Sequence, residues 1–577
     1  MSASEQTSST SQVRPDVQAI SANPNPQVLI IGGGINGAAT FRELALQGVN
    51  VTLIERDDYM AGASAASSHM IHGGIRYLEN GEFRLVRESV QERNRLLKNA
   101  PHYVKPLQTT IPIYSTFSGI AAAPLRFLTH KQSKTTERGA LLIKIGLILY
   151  DSFSRDGGDV PRHQFLGRRK SLAALPHLNK GLKYTATYYD AAMVHPERLG
   201  LDVILDGRAA GGRSANYVEA IGAVDGGVLV RDRATGNEFV LSADLVINTS
   251  GPWTDLTNEA LGTPSKFMGG TKGSHIVLDN PELFAATKGR ELFFENDDGR
   301  IVLIYPLKGR VLVGTTDMEA DPRETPVETD EDTEYFFNLV SHVFPDIKIH
   351  RSQIVFTYAG IRPLPRHDDE APGFVSRDYR IEKGSFGGSP LLSLVGGKWT
   401  TFRALGEHMT NEALAILGRT RSTSTATLAV GGGAGFPTTD AATATWIAAN
   451  AQQLPRGRVA ELLARYGTRA TVVMDAIRQA KNDHPLESTA LLTTAEVGFL
   501  VDSEFVLHLD DVILRRTELA FIGAIDAAAL EELAHLVGER LGWSNEKCRE
   551  EVEATMLLLT TRHGMTFETS AKSDVTR

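Results

Sequence analysis

The chemistry of this chain starts at Gly32-Gly33-Gly34-Ile35-Asn36-Gly37, where Gly32, Gly34 and Gly37 stand at GxGxxG spacing. Gly32 lets the chain turn sharply, Gly34 bares the backbone, and Gly37 lets a following helix lie close on a strand. Together they suit a diphosphate, which the unpaired N–H groups of a helix start attract. Glu55 comes 18 residues after Gly37, where a carboxylate can accept hydrogen bonds from an adenosine ribose. Residues 63–78, ASAASSHMIHGGIRYL, follow at once. Ser64, Ser67 and Ser68 suit contacts to a diphosphate and a flat cofactor ring, and Gly73-Gly74 permit close backbone approach to such a ring. Arg76 and Tyr77 add a cation and a phenol.

These groups need elements to hold them. Apolar runs at 28–31 and 51–54 flank a helix-compatible segment, the strand–helix–strand unit of a dinucleotide site. Residues 81–98 read as a charged helix with apolar residues at helical spacing. Short β-like runs follow at 109–114, 228–240, 243–248 and 391–395, and 300–316 reads as a hairpin around Lys308-Gly309. NTSGPW at 248–253 is a Gly/Pro turn. Residues 421–440 read as a linker, and the chain from Ala441 on is rich in helical Ala/Leu/Glu/Arg segments.

Bulk properties narrow the class. A chain of 577 residues requires two or three domains. Its net charge of −9 argues against general nucleic-acid binding, because no cationic excess displaces counterions. The single cysteine, Cys548, excludes an intramolecular disulfide and a cysteine-built zinc site, and no metal is expected. Residues 1–26 are polar and resemble neither a secretory signal nor an Arg-rich transit peptide, so they are expected to be disordered. The apolar segment 139–150 is too short to span a bilayer and is interrupted by Lys144. Around it, 117–138 carries Arg126, Lys131, Lys134 and Arg138, readable as a solvated loop and helix or as an amphipathic surface for anionic membrane.

The stretch SSHMIHGGIRYL resembles the SSxLIHGGxRYL signature of FAD-dependent glycerol-3-phosphate dehydrogenases. EFRLVRES, GLILYDSFSR, ANYVEA, NTSGPW, KGSHIV, VGTTDME, YAGIRPLP, SRDY, GGKWTTFR and LDDVILRRTELAF continue the likeness in family order over about residues 27–560. The resemblance implies an α/β fold, with an FAD-binding Rossmann-like domain of the glutathione-reductase/D-amino-acid-oxidase type interleaved with an antiparallel β-rich substrate domain. An all-α C-terminal domain completes it. The boundaries expected are a tail 1–26, FAD-binding segments 27–95, 200–262 and 355–420, substrate-binding segments 96–199 and 263–354, a linker 421–440 and helices 441–577.

It further implies oxidation of sn-glycerol 3-phosphate to dihydroxyacetone phosphate, with hydride transfer to flavin N5 and electrons passed to a membrane quinone. The place implied is the cytoplasm, peripherally on the inner face of the cell membrane, with a homodimer as the assembly. FAD is expected to contact Gly32, Gly34, Asn36, Gly37, Glu55, Ser64, Ser67, Ser68, Met70, Gly74, Val218, Gly251, Trp253, Gly397, Lys398 and Thr400. A phosphate dianion needs fixed cations, and Arg76, Arg362, Arg377 and Lys398 supply them, with Tyr77 beside the first. His275 is the expected general base; His72 is expected to be structural or to face the cofactor, and Lys272 to lie at the surface or act electrostatically. The chain departs from the family at His69, usually lysine, and at 188–199. Erythritol or threitol phosphate is therefore an alternative substrate, and an oxygen-using oxidase or a non-catalytic flavin-binding interaction protein are alternative functions.

Overall fold

The computed structural model describes residues 14–74, 83–114, 140–154, 160–296, 300–366 and 378–567. Apolar runs such as VLII, VTLI and LVIN are what a parallel sheet buries on both faces. Val28–Ile31 lies at the centre, parallel to Val51–Ile54 on one side and Leu245–Asn248 on the other, with Ile31 level with Ile54 and Asn248. Ser389–Val395 extends the sheet in parallel, and the edges are Arg213–Ala215 and the antiparallel Arg380–Phe386. Because five of these strands run one way, Gly32, Glu55, Thr249 and Gly396 leave at one rim. Open parallel sheets take ligands at that rim. The helices Ile35–Leu46, Pro196–Ala209 and Phe402–Ile416 pack together on one face of this sheet.

The second sheet is largely antiparallel and contains ten strands among the described residues. Its two long members, Met268–Leu278 and Ile354–Pro365, pair along almost their whole length. Arg310–Gly314 pairs with Met268–Leu278 and forms a hairpin with Ile301–Leu307. Lys308 and Gly309 at its tip have φ of 53° and 77°, the double positive that a two-residue hairpin turn needs.

From Asp440–Ala451 to Asn545–His563 the described chain is helical. Its core is not separate: Val459, Leu500, Leu509 and Leu530 continue into Val277, Leu303, Leu312 and Phe356 of the second sheet. One expectation needs correction. Within the tail read as disordered, Pro15–Ser21 is a helix with Val17 and Ile20 buried. Proline at the first turn presets the helical φ, and two apolar side chains three apart find the Arg213–Ala215 edge, so burial outweighs a polar composition. Among the described residues no helix is long and apolar enough to cross a membrane.

Candidate active site

The helix Ile35–Leu46 starts almost touching the strand it follows. A Cβ on Gly37 would lie 1.9 Å from the Gly32 carbonyl oxygen, so no other residue allows this approach. Gly34 stands at the N-cap without a side-chain cap. Ser64 closes over it: its hydroxyl accepts the Ile35 N–H at 3.0 Å, and its carbonyl accepts the Trp399 indole N–H at 3.0 Å. Asn36 keeps a buried Oδ1 with no hydrogen-bond partner among the described residues, and a Cβ on Gly397 would fall 2.4 Å from its Nδ2. A buried acceptor left open beside bare backbone and a helix start fits a dinucleotide.

Glu55 sits at the next strand end. Its carboxylate accepts N–H groups from Gly33 at 2.6 Å and Asp57 at 2.9 Å. Burial pushes its pKa up to about 7 against these bonds. The Val218 N–H donates to the Glu55 carbonyl at 2.7 Å, so two segments meet here.

The second sheet builds the other half of the site by strand register. Side chains alternate along a strand, so residues two apart share a face. Thr271, Gly273 and His275 stand opposite Arg362, Gly360 and Tyr358. The glycine pair leaves a gap between a His–Tyr pair and a Thr–Arg pair. The His275 ring stacks on Tyr358 at 4.6 Å and 11°, over Gly314 of the adjoining strand. His275 is buried; its Nε2 lies 2.8 Å from the Ser68 hydroxyl, and its Nδ1 has no hydrogen-bond partner among the described residues. Burial, then the charge of Arg362 and the nearby His69, hold its pKa well below the ordinary 6.5, so the ring is neutral at working pH.

Arg362 is held on several sides. It donates to Asp317 at 3.0 Å, to the Thr315 hydroxyl at 2.8 Å and to the Thr316 carbonyl at 2.9 Å. Lys398 donates to Ser89 at 3.0 Å. Ser67, Ser68, His275, Arg362, Gly397, Lys398 and Trp399 line one cavity of about 170 Å³. That is below the roughly 300–1,000 Å³ of sites for drug-sized ligands, which restricts the occupant to a small molecule.

Several expected positions lie outside that cavity. The Met70 side chain joins the core with Leu107 and Val277, and Val218 is likewise buried, so each can offer only backbone. Trp253 lies under the Arg56 guanidinium at 4.6 Å and donates to the Pro322 carbonyl. Gly251 begins the same turn with φ of 63°. Thr400 is buried and donates to the His72 carbonyl at 3.3 Å. The flat ring that Gly73 admits is Tyr150, whose hydroxyl would lie 2.1 Å from a Cβ there. Lys272 is ion-paired with buried Asp332 at 2.8 Å. Arg76, Tyr77, Arg377 and residues 117–138 lie outside the described residues, and Gly74 is described with φ of 77°. Sequence reading missed Tyr358 as the platform for His275; the alternation in YAGIRP carried the signal, but only pairing shows what it faces.

The family of FAD dependent oxidoreductases matches residues 27–403, and the C-terminal domain of alpha-glycerophosphate oxidase matches residues 423–548. Glycerol-3-phosphate dehydrogenase of Synechocystis sp. is 33% identical over 564 residues, covering 93% of this chain and 96% of that protein. D-erythritol 1-phosphate dehydrogenase of Brucella abortus is 31% identical over 516 residues, covering 85% and 94%. The crystal structure of glycerol-3-phosphate dehydrogenase from Bacillus halodurans, complexed with FAD, superimposes with a TM-score of 0.73 at 22% identity. It covers 94% of this chain and 96% of that one. That likeness establishes the fold: an FAD-binding α/β unit, an interleaved β-rich unit and C-terminal helices.

Proposed function

Because the chain belongs to the family of FAD-dependent glycerol-3-phosphate dehydrogenases, we propose that it oxidises sn-glycerol 3-phosphate to dihydroxyacetone phosphate and passes the electrons to a membrane quinone. FAD, when bound, supplies at N5 the acceptor for the hydride leaving the carbinol carbon. The observation that carries the reading is the convergence of a neutral buried imidazole, a rigid guanidinium and an ammonium on one small cavity.

Arg362 takes the phosphate. Its bonds to Asp317, Thr315 and Thr316 fix the plane of the guanidinium before substrate arrives, which lowers the entropy lost on binding. His275 removes the hydroxyl proton at Nε2, directly or through the Ser68 hydroxyl that lies against it. A phosphate dianion beside Arg362 offsets the charge that depresses the imidazole pKa, so the base strengthens when substrate is in place. Lys398 places positive charge where negative charge develops during oxidation. At the other end, Gly34, Asn36 and Gly37 receive the diphosphate and Glu55 the ribose.

Anaerobic mixing with sn-glycerol 3-phosphate tests this directly: flavin absorbance should bleach. Absence of bleaching would remove the activity, and faster bleaching by D-erythritol 1-phosphate would reassign the substrate to the longer polyol. Reoxidation of the bleached protein by a soluble quinone, compared with dissolved oxygen, separates dehydrogenase from oxidase. Peripheral attachment to the inner face of the cell membrane is part of the proposal. The helix Ala140–Ser154 supports it, because Ile145 and Ile148 are about half exposed next to exposed Lys144.

A further inference from the structure

Asp58 lies three residues beyond Glu55, and its carboxylate is fully buried. Oδ1 accepts from Asn216 Nδ2 and from Arg516 Nη2, both at 2.9 Å; Oδ2 accepts from Arg516 Nη1 at 2.6 Å and from Arg515 Nε. Burial opposes this charge, yet the Arg516 and Arg515 guanidiniums hold the carboxyl well below the usual carboxylate range. Both arginines come from the C-terminal helical domain, more than 450 residues away. The same domain reaches the neighbouring segment twice more. Asn216 donates to the Phe505 carbonyl at 2.9 Å, and the Tyr217 hydroxyl donates to Asp511 at 2.7 Å. Segments 55–58 and 215–218 are themselves tied: Glu55 N–H to the Ala215 carbonyl, Tyr217 N–H to that of Asp57, Val218 N–H to that of Glu55.

Thus the 504–516 segment grips both the piece of chain that, in the reading above, offers Glu55 to the FAD ribose and the piece that carries the expected FAD contact Val218. Tyr217 is held at φ of 55°, a backbone state a bulky residue rarely adopts unless its surroundings impose it.

We propose that the C-terminal domain is a cofactor clamp, in which Arg515 and Arg516 act through Asp58 as positioning residues that hold the Glu55 and Val218 segments in their FAD-binding geometry. The grip of the 504–516 segment and FAD binding are then coupled, and the coupling is reciprocal: whatever the grip contributes to FAD affinity, FAD contributes to the grip. The proposal rests on the FAD site and not on the identity of the substrate.

The test is reconstitution of apoprotein with FAD, followed by quenching of flavin fluorescence, for wild type, Asp58→Asn, Arg516→Met and the double variant. Each single change should raise the FAD Kd about tenfold, within the roughly 5–150-fold span of site couplings, and the double change should add little to the worse single. Arg469→Gln serves as the comparison, since Arg469 docks the same domain through an ion pair with Asp202 rather than with Asp58 or residues 215–218; its FAD Kd should stay close to wild type. In parallel, FAD should slow proteolysis within residues 421–440 in wild type and not in Asp58→Asn. If Asp58→Asn does not fold, Arg516→Lys keeps the charge, loses the two-point grip, and should still weaken FAD binding. Equal weakening in Arg469→Gln, or wild-type cleavage indifferent to FAD, would overturn the clamp. Neither readout involves a polyol phosphate, so a wrong substrate would leave both results standing.

Discussion

Gly273 opposes Gly360 across the paired strands, and the gap they leave admits the Arg362 side chain. In Gly273→Ala the added Cβ would lie 2.1 Å from Arg362 Nη2 and 2.5 Å from Cζ. Reaching ordinary contact at 3.4 Å requires the guanidinium to retreat by about 1.3 Å. Its bonds to Thr315 and Asp317, at 2.8 and 3.0 Å, cannot all survive that movement. A misplacement of about 1 Å in a positioning group costs on the order of 100-fold. Gly273→Ala should therefore lower kcat/KM for sn-glycerol 3-phosphate about 100-fold, chiefly through KM. Steady-state kinetics on Gly273→Ala, Arg362→Met and the double variant decide the cause. If the methyl acts through Arg362, the double variant is no worse than Arg362→Met. A Gly273→Ala enzyme with wild-type KM, or losses that simply multiply, would refute the reasoning.

Lys398→Met should cut the anaerobic flavin-reduction rate at saturating substrate by roughly 100-fold, whereas Arg362→Met should raise KM and narrow the preference for phosphorylated over free polyol; rapid-mixing and steady-state kinetics separate the two. Because His275 has a pKa below the ordinary 6.5, kcat/KM should show no histidine limb above pH 6.5 and should fall only in more acid solution. The same shift makes the fold lose stability as pH drops below 6.5, and His275→Gln should blunt that loss in acid melting curves. Glu55, with its pKa raised to about 7, accepts from a ribose more strongly once its carboxyl is ionised, so the FAD Kd should rise as pH falls below 7 and level off above. Glu55 also favours the apoprotein fold most below pH 4.5, a contribution lost as pH rises through 7; Glu55→Gln should flatten both profiles. Ile145→Gln with Ile148→Gln should reduce sedimentation with anionic liposomes, and salt should reduce it further by screening basic side chains that contribute roughly 1 kcal/mol each.

What the sequence determined by itself is what is local. The strand 28–31, the glycine turn, the helix and the strand 51–54 follow one another without interruption, so this unit and the place of Glu55 at its end were legible from residue order alone. The hairpin tip at Lys308-Gly309 was legible for the same reason, since a two-residue turn states its own backbone requirement. His275, Arg362 and Lys398 could be named through resemblance, but their meeting in one cavity could not. That meeting depends on pairing strands some eighty residues apart, and a shift of one residue would send His275 and Arg362 to the opposite face. The platform under His275, the gap at Gly273 and Gly360, and the grip of Arg515 and Arg516 on Asp58 are all products of long-range contact rather than of local order. So is the helix Pro15–Ser21, whose two apolar residues mean little until a sheet edge stands ready to cover them. Local order fixes backbone preference, whereas the side chains that come to face one another are fixed only when distant segments bury surface together.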